Sequence, residues 1–115
     1  MVTGDSATNR MLILSCSQRK RTDEGLLPAV ERYDGPAFRV LRRFLRERPA
    51  EAPNILILSA EHGLIPHDYP IAAYDREMTP TRARELRPLV LAEFDRIFGI
   101  QMPQNILAFA GRHYL

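Results

Sequence analysis

The chain has a single cysteine in 115 residues, which excludes an internal disulfide and fits a reducing, cytoplasmic setting. One cysteine also cannot build a structural zinc site, and His62, His67 and His113 lack the i, i+4 spacing of a helical metal pair. No metal and no cofactor is expected. No apolar stretch approaches the ~20 residues needed to cross a bilayer, so no membrane contact is expected. A glycine-rich phosphate loop is absent, and with it the Walker-type and dinucleotide fingerprints. There is no internal repeat and no low-complexity segment. The formal charge is only +2, so net charge gives no argument for a polycation bound to nucleic acid. Lysine is as scarce as cysteine. One Lys stands against fifteen Arg, so Lys20 stands out more than any arginine does.

What is present is ordinary globular composition, with 45% apolar and 26% charged residues. The length suits one domain over residues 11–115, preceded by a polar leader over 1–10 that has no apolar signal core. Three short apolar runs carry the fold: residues 11–16 (MLILSC), 54–60 (NILILSA) and 105–110 (NILAFA). Runs of that length separated by helical patterns read as buried parallel strands. In open α/β sheets the ligand crevice lies outside the carboxyl ends of such strands. The order of residues therefore predicts one site, assembled from three strand exits.

Two helices are predicted between the runs. From Asp34-Gly35-Pro36 a cap and a first-turn proline open a helix that stops at Pro49. Phe38, Leu41, Phe44 and Leu45 form its apolar face, and Arg39, Arg42, Arg43 and Arg46 the other. A second helix opens near Thr79 and closes at Phe98-Gly99, with Ala83, Leu86, Val90, Phe94 and Ile97 as its buried stripe. Pro88 inside it predicts a kink or a division in two. The expected fold is a small three-layer α/β domain with a mainly parallel sheet, in the order β-α-β-loop-α-β. The eighteen residues 61–78 form the loop. It is too apolar for disorder, so an ordered active-site or binding loop packed over the sheet edge is expected.

The strand exits carry the chemistry. At the first, Cys16 lies four positions from Lys20, with Ser17 between them. A thiol beside a cation can act as a nucleophile, although a small buried residue at a strand end is the plainer role. Ser17 could hold a phosphate through its hydroxyl. At the second exit, Ser59 precedes Glu61 and His62, a carboxylate and an imidazole fit for proton transfer. Both can face one pocket only if the chain turns there, as Gly63 allows. At the third, Gly111, Arg112 and Tyr114 follow the last strand.

Residues 55–66, followed by Pro70, Tyr74-Asp75 and Met78, resemble the central motif of the YaaA-like peroxide-stress proteins and their short bacterial and phage relatives. The Cys16-Ser17 exit with Lys20, the Tyr33-x-Gly35-Pro36-x-Phe38 element and the Gly111-x-x-Tyr114 exit belong to the same resemblance. The Cys-Ser exit is also similar to a domain of archaeosine synthase. The likeness spans about residues 11–115. It implies an α/β fold and a role with nucleobases or nucleic acids. His62 departs from the aromatic residue that many such proteins carry there. Relatives also continue with a helix after the last exit, where this chain stops at Leu115.

These observations lead to a nucleotide- or nucleobase-handling domain, with glycosyl or group transfer as its chemistry. Cys16, Glu61 and His62 are the catalytic candidates. Ser17, Lys20, Ser59, Gly63, Tyr74, Asp75, Gly111, Arg112 and Tyr114 are candidates for substrate binding, Lys20 and Arg112 holding an anion and Tyr74 or Tyr114 stacking on a base. The competing class is a non-catalytic nucleic-acid binder of the stress-response type, using Arg39, Arg42, Arg43 and Arg46. A solvated helix face is the plainer role for those arginines, and a degenerate scaffold is the blandest outcome. Run 105–110 is apolar throughout yet has no following helix to cover it. A homodimer or a partner chain over that strand is therefore expected.

Overall fold

The computed structural model describes residues 10–17, 19–98 and 105–109. Strand β1 (Arg10–Ser15) leads through a loop to the short β2 (Leu27–Pro28), a single helical turn α1 (Ala29–Arg32) and helix α2 (Pro36–Glu47). A 3-10 turn (Pro49–Glu51) joins α2 to β3 (Asn54–Ser59). Next come β4 (Gly63–Pro66), β5 (Pro70–Ile71), helix α3 (Pro80–Phe98) and β6 (Asn105–Phe109).

The three apolar runs form strands β1, β3 and β6, and the α/β class holds. The finer expectation does not. The main sheet is mixed, in the order β4-β3-β1-β6. Strand β1 lies parallel to both β3 and β6, whereas β4 runs antiparallel to β3. A second, two-stranded antiparallel sheet joins β2 to β5. Strands β4 and β5 both fall within residues 61–78, where a continuous loop was expected. Gly63 takes φ +77°, a left-handed conformation that only glycine adopts without strain. It reverses the chain, so residues 63–66 fold back on β3. Ile65 then sits opposite Ile57, and Leu64 opposite Leu58.

Alternation along the strands sends side chains to two faces. Leu14, Ile55, Ile57 and Ile65 pack on one face with Phe38 and Leu41 of α2 and with Tyr33. Met11, Ile13, Leu56 and Leu64 pack on the other, against Val90, Phe94 and Ile97 of α3. Helix α3 runs undivided through Pro88. That proline lies on the exposed side, where water can donate to the carbonyl its missing N–H leaves open. Thr79 caps the helix, its hydroxyl accepting the Arg82 N–H at 3.1 Å. Asp34 does not cap α2. Gly35 is the N-cap and makes no side-chain capping bond, and the Asp34 carboxylate is drawn instead to Arg39 and Arg42. The side chains of β6 lie outside the described residues, and so do Gly111, Arg112 and Tyr114. The expected uncovered face and third strand exit fall there.

One buried charge organises the loop after β1. Arg32 is fully buried, and its guanidinium donates to the carbonyls of Arg21, Asp23, Gly25 and Ile71 at 2.7–3.4 Å. It closes residues 21–25 against β5, work suited to the five fixed donors of arginine. Arg32→Ala would leave those carbonyls without their donor, and urea unfolding should show a loss of about 3 kcal/mol or more.

Candidate functional site

Strands β1 and β3 are parallel, so their carboxyl ends meet at one edge, where the Cys16 N–H continues the ladder to the Leu58 carbonyl at 2.9 Å. From Cys16 the chain runs to Lys20, whose backbone forms an isolated antiparallel bridge with Tyr33. This bridge brings the loop after β1 against the start of α2. Ser17 fastens the junction, donating to the Arg19 carbonyl at 2.7 Å and accepting the Gly35 N–H at 3.2 Å. A β-carbon at position 35 would stand 2.9 Å from Ser17 Cβ, so the close approach requires glycine there. The Ser17 hydroxyl is therefore engaged in the fold, which leaves little of it for the phosphate role expected from the sequence.

At the centre of the edge lie three hydroxyls. Tyr33 is fully buried, and its phenol donates to Ser59 Oγ at 2.8 Å and lies 2.7 Å from the Tyr74 hydroxyl. Ser59 Oγ is 3.3 Å from Tyr74 in turn. With Tyr33 donating to Ser59, each hydroxyl donates once and accepts once if Ser59 donates to Tyr74 and Tyr74 to Tyr33. The three then close a ring. Ser59 also accepts the backbone N–H groups of Glu61 and His62 at 3.2 and 3.1 Å, which fixes the turn after β3. Burial pushes the Tyr33 phenol far above its ordinary range, and burial likewise raises Tyr74. Both remain protonated donors at neutral pH.

Lys20 and His62 meet at Tyr74. The Lys20 ammonium lies 4.6 Å from the centre of the Tyr74 ring and 5.8 Å from that of Tyr33, within the range of a cation–π contact. The His62 ring meets Tyr74 edge-on at 6.0 Å, and the Cys16 side chain is close enough to Tyr74 to act on its ionisation. Two of the three expected contributors, Lys20 and His62, thus converge on one residue. The third, Arg112, is outside the described residues. Lys20 lies over the Tyr74 ring, where it competes with the stacking expected of that residue.

The remaining candidates divide. Glu61 is ion-paired with Arg76 at 3.2 Å on the surface, a partner that competes with a role as free base. Gly63 is buried against Leu86 and serves the reversal of the chain. Asp75 is exposed next to Tyr74. His67 stands at the far end of β3, its N–H bonded to the Ile55 carbonyl, so it does not meet His62. The arginine stripe is largely committed. Arg42 donates to the carbonyls of Val30 and Tyr33 and pairs with Asp34 at 2.7 Å. Arg39 shares Asp34, and Arg43 pairs with Glu47. The two guanidinium groups hold the Asp34 carboxyl below its usual range. Of the four, Arg46 alone is exposed with no ion pair to an acid among the described residues.

Arg82 was not among the residues singled out from the sequence. From α3, on the far side of the sheet, it donates to the carbonyls of Ala60 and Glu61 at 2.7 and 3.1 Å. With Ser59 gripping the two N–H groups, the turn that presents His62 is bound on both sides. No local pattern marks that role, because it depends on where α3 packs.

The buried phenol makes stability fall at alkaline pH. Unfolded tyrosine loses its proton near pH ~10, whereas folded Tyr33 keeps it, so above pH ~10 the unfolded state binds fewer protons. Its contribution is intact below that pH and declines above it, by about 1.4 kcal/mol per pH unit. Urea unfolding across the alkaline range should show this limb, flattened in Tyr33→Phe. The same variant should lose about 1–2 kcal/mol at neutral pH through its broken hydrogen bonds.

Among the described residues no helix is long and apolar enough to cross a membrane. No curated protein and no solved structure gave a significant match to the chain. A family match covers residues 11–115, the strands, helices and strand exits described above. The chain belongs to DUF6884, a family of unknown function.

Proposed function

We propose that this domain handles a nucleotide or nucleobase at the shared edge of β1 and β3, in the cytoplasm. The observation that carries the reading is the meeting of Lys20, His62 and Cys16 around Tyr74, which the buried hydroxyl ring holds in place. An ammonium supplies a seat for a phosphate. The half-buried Tyr74 ring and the exposed His62 ring supply flat surfaces for a base. The position at the carboxyl ends of parallel strands is where α/β folds place such ligands. The resemblance of the Cys16, Tyr33 and 55–66 elements to YaaA-like proteins points the same way, including their association with stress. Glycosyl or group transfer is the chemistry that fits, with His62 moving the proton and Cys16 as the nucleophile in reach.

The competing reading, a nucleic-acid binder using the stripe on α2, is weakened by the pairing of Arg39, Arg42 and Arg43 with acids of this chain. Calorimetric titration with nucleoside monophosphates separates the two. Binding should be present in the wild type and weakened about tenfold or more in Lys20→Ala, the loss expected when a charged hydrogen-bonding partner is removed. It should be untouched in Arg43→Ala with Arg46→Ala. No binding of any nucleotide, or binding that depends on the α2 arginines and falls steeply with salt, would overturn the reading.

A further inference from the structure

We propose that Lys20 forms a covalent imine with an aldehyde-bearing pentose phosphate, the ring-opened sugar left when a nucleotide loses its base. This rests on the nucleotide reading of the site and narrows its substrate. The argument starts from composition. Fifteen arginines serve wherever this chain needs a cation, and one lysine does not follow that usage. Arginine can hold a phosphate as well as lysine can, but only an amine can attack a carbonyl carbon. The single amine side chain of the sequence lies in the candidate site and not on the surface helices.

Its setting suits such a step. The backbone of Lys20 is fixed on both sides, by Asp34 N–H to the Arg19 carbonyl and Arg21 N–H to the Arg32 carbonyl, each at 2.8 Å. The side chain is half-buried and its nitrogen is steadied over the rings of Tyr74 and Tyr33. Holding a nucleophile in one place removes much of the entropy cost of attack. The form that reacts is the amine after its proton has left to solvent. Nζ attacks the aldehyde carbon and a C–N bond forms as the C=O π bond opens onto oxygen; one Nζ hydrogen leaves as a proton and the oxygen takes one, which gives the carbinolamine. The second Nζ hydrogen leaves as a proton, the hydroxyl takes a proton and departs as water, and the C=N bond closes. One amine and one aldehyde give one imine and one water, with no oxidant or reductant. His62, whose ring meets Tyr74 from the second strand exit, is the proton carrier of the site.

Reductive trapping tests this on the full chain. The protein is incubated with 2-deoxyribose 5-phosphate and cyanoborohydride, and adducts are located by peptide mass mapping. The expected result is one sugar on the peptide holding Lys20, formed about tenfold or more faster than in the urea-unfolded chain. Lys20→Arg, shown to be folded by its thermal transition, should lose that adduct. Adducts confined to the α-amino group, or Lys20 labelled no faster folded than unfolded, would overturn the proposal. Nucleotide binding without trapping overturns the imine alone. Trapping without nucleotide binding supports the imine and overturns only the base-binding reading.

Discussion

A tyrosine hydroxyl with no access to water must find its partners inside the protein, because an unpaired polar group in the core costs more than a hydrogen bond returns. Tyr33 is such a residue, and the groups that satisfy it come from distant parts of the chain. Ser59 ends β3, and Tyr74 belongs to the irregular segment before α3. The backbone of Tyr33 is tied to Lys20 by a bridge, and its carbonyl accepts from Arg42 of α2. The first strand exit, the second strand exit and the segment over them are thus referenced to one side chain. Cys16, Lys20 and His62 stand where they do because that phenol is buried there.

Arginine does most of the remaining fastening, and around the irregular segments it does so through backbone carbonyls. Arg32 gathers four carbonyls around the loop after β1, and Arg42 joins α1 to α2. Arg82 holds the turn after β3 from across the sheet. A planar group with five donors can close an irregular segment that lacks ladder partners. The Arg-rich composition therefore reads as a structural habit, consistent with a small net charge, and it leaves lysine chemistry to one position.

The strands and long helices were legible because burial imposes a period on them. The apolar stripe of α3 and the inward face of α2 follow from spacing, and parallel pairing of β1 with β3 follows from continuous apolar runs. The hairpin of β3 with β4 was not legible. Its second strand is four residues ending in Pro66, and its signal, a glycine at the reversal, reads equally as a loop. The pairing of β2 with β5 is shorter still and depends on Arg32, whose burial no local pattern announces. At the site, Cys16, Lys20, Ser59 and His62 lie at one edge with Tyr74, a placement that parallel pairing of β1 and β3 makes readable from the strand exits. The ion pairs that tie Arg39 and Arg42 to Asp34 were not legible, because they arise only after α1 and α2 pack.

The central claim is that a ligand engages the edge built around Tyr74. Amide chemical shifts of the isotopically labelled chain, followed during titration with a nucleoside monophosphate, test it most directly. The account expects the largest changes at Cys16–Lys20, at Ser59–His62 and at Tyr74, saturating together with one affinity. Shifts confined to the outer face of α2 around Arg43 and Arg46, or an absence of shifts at saturating nucleotide, would contradict it.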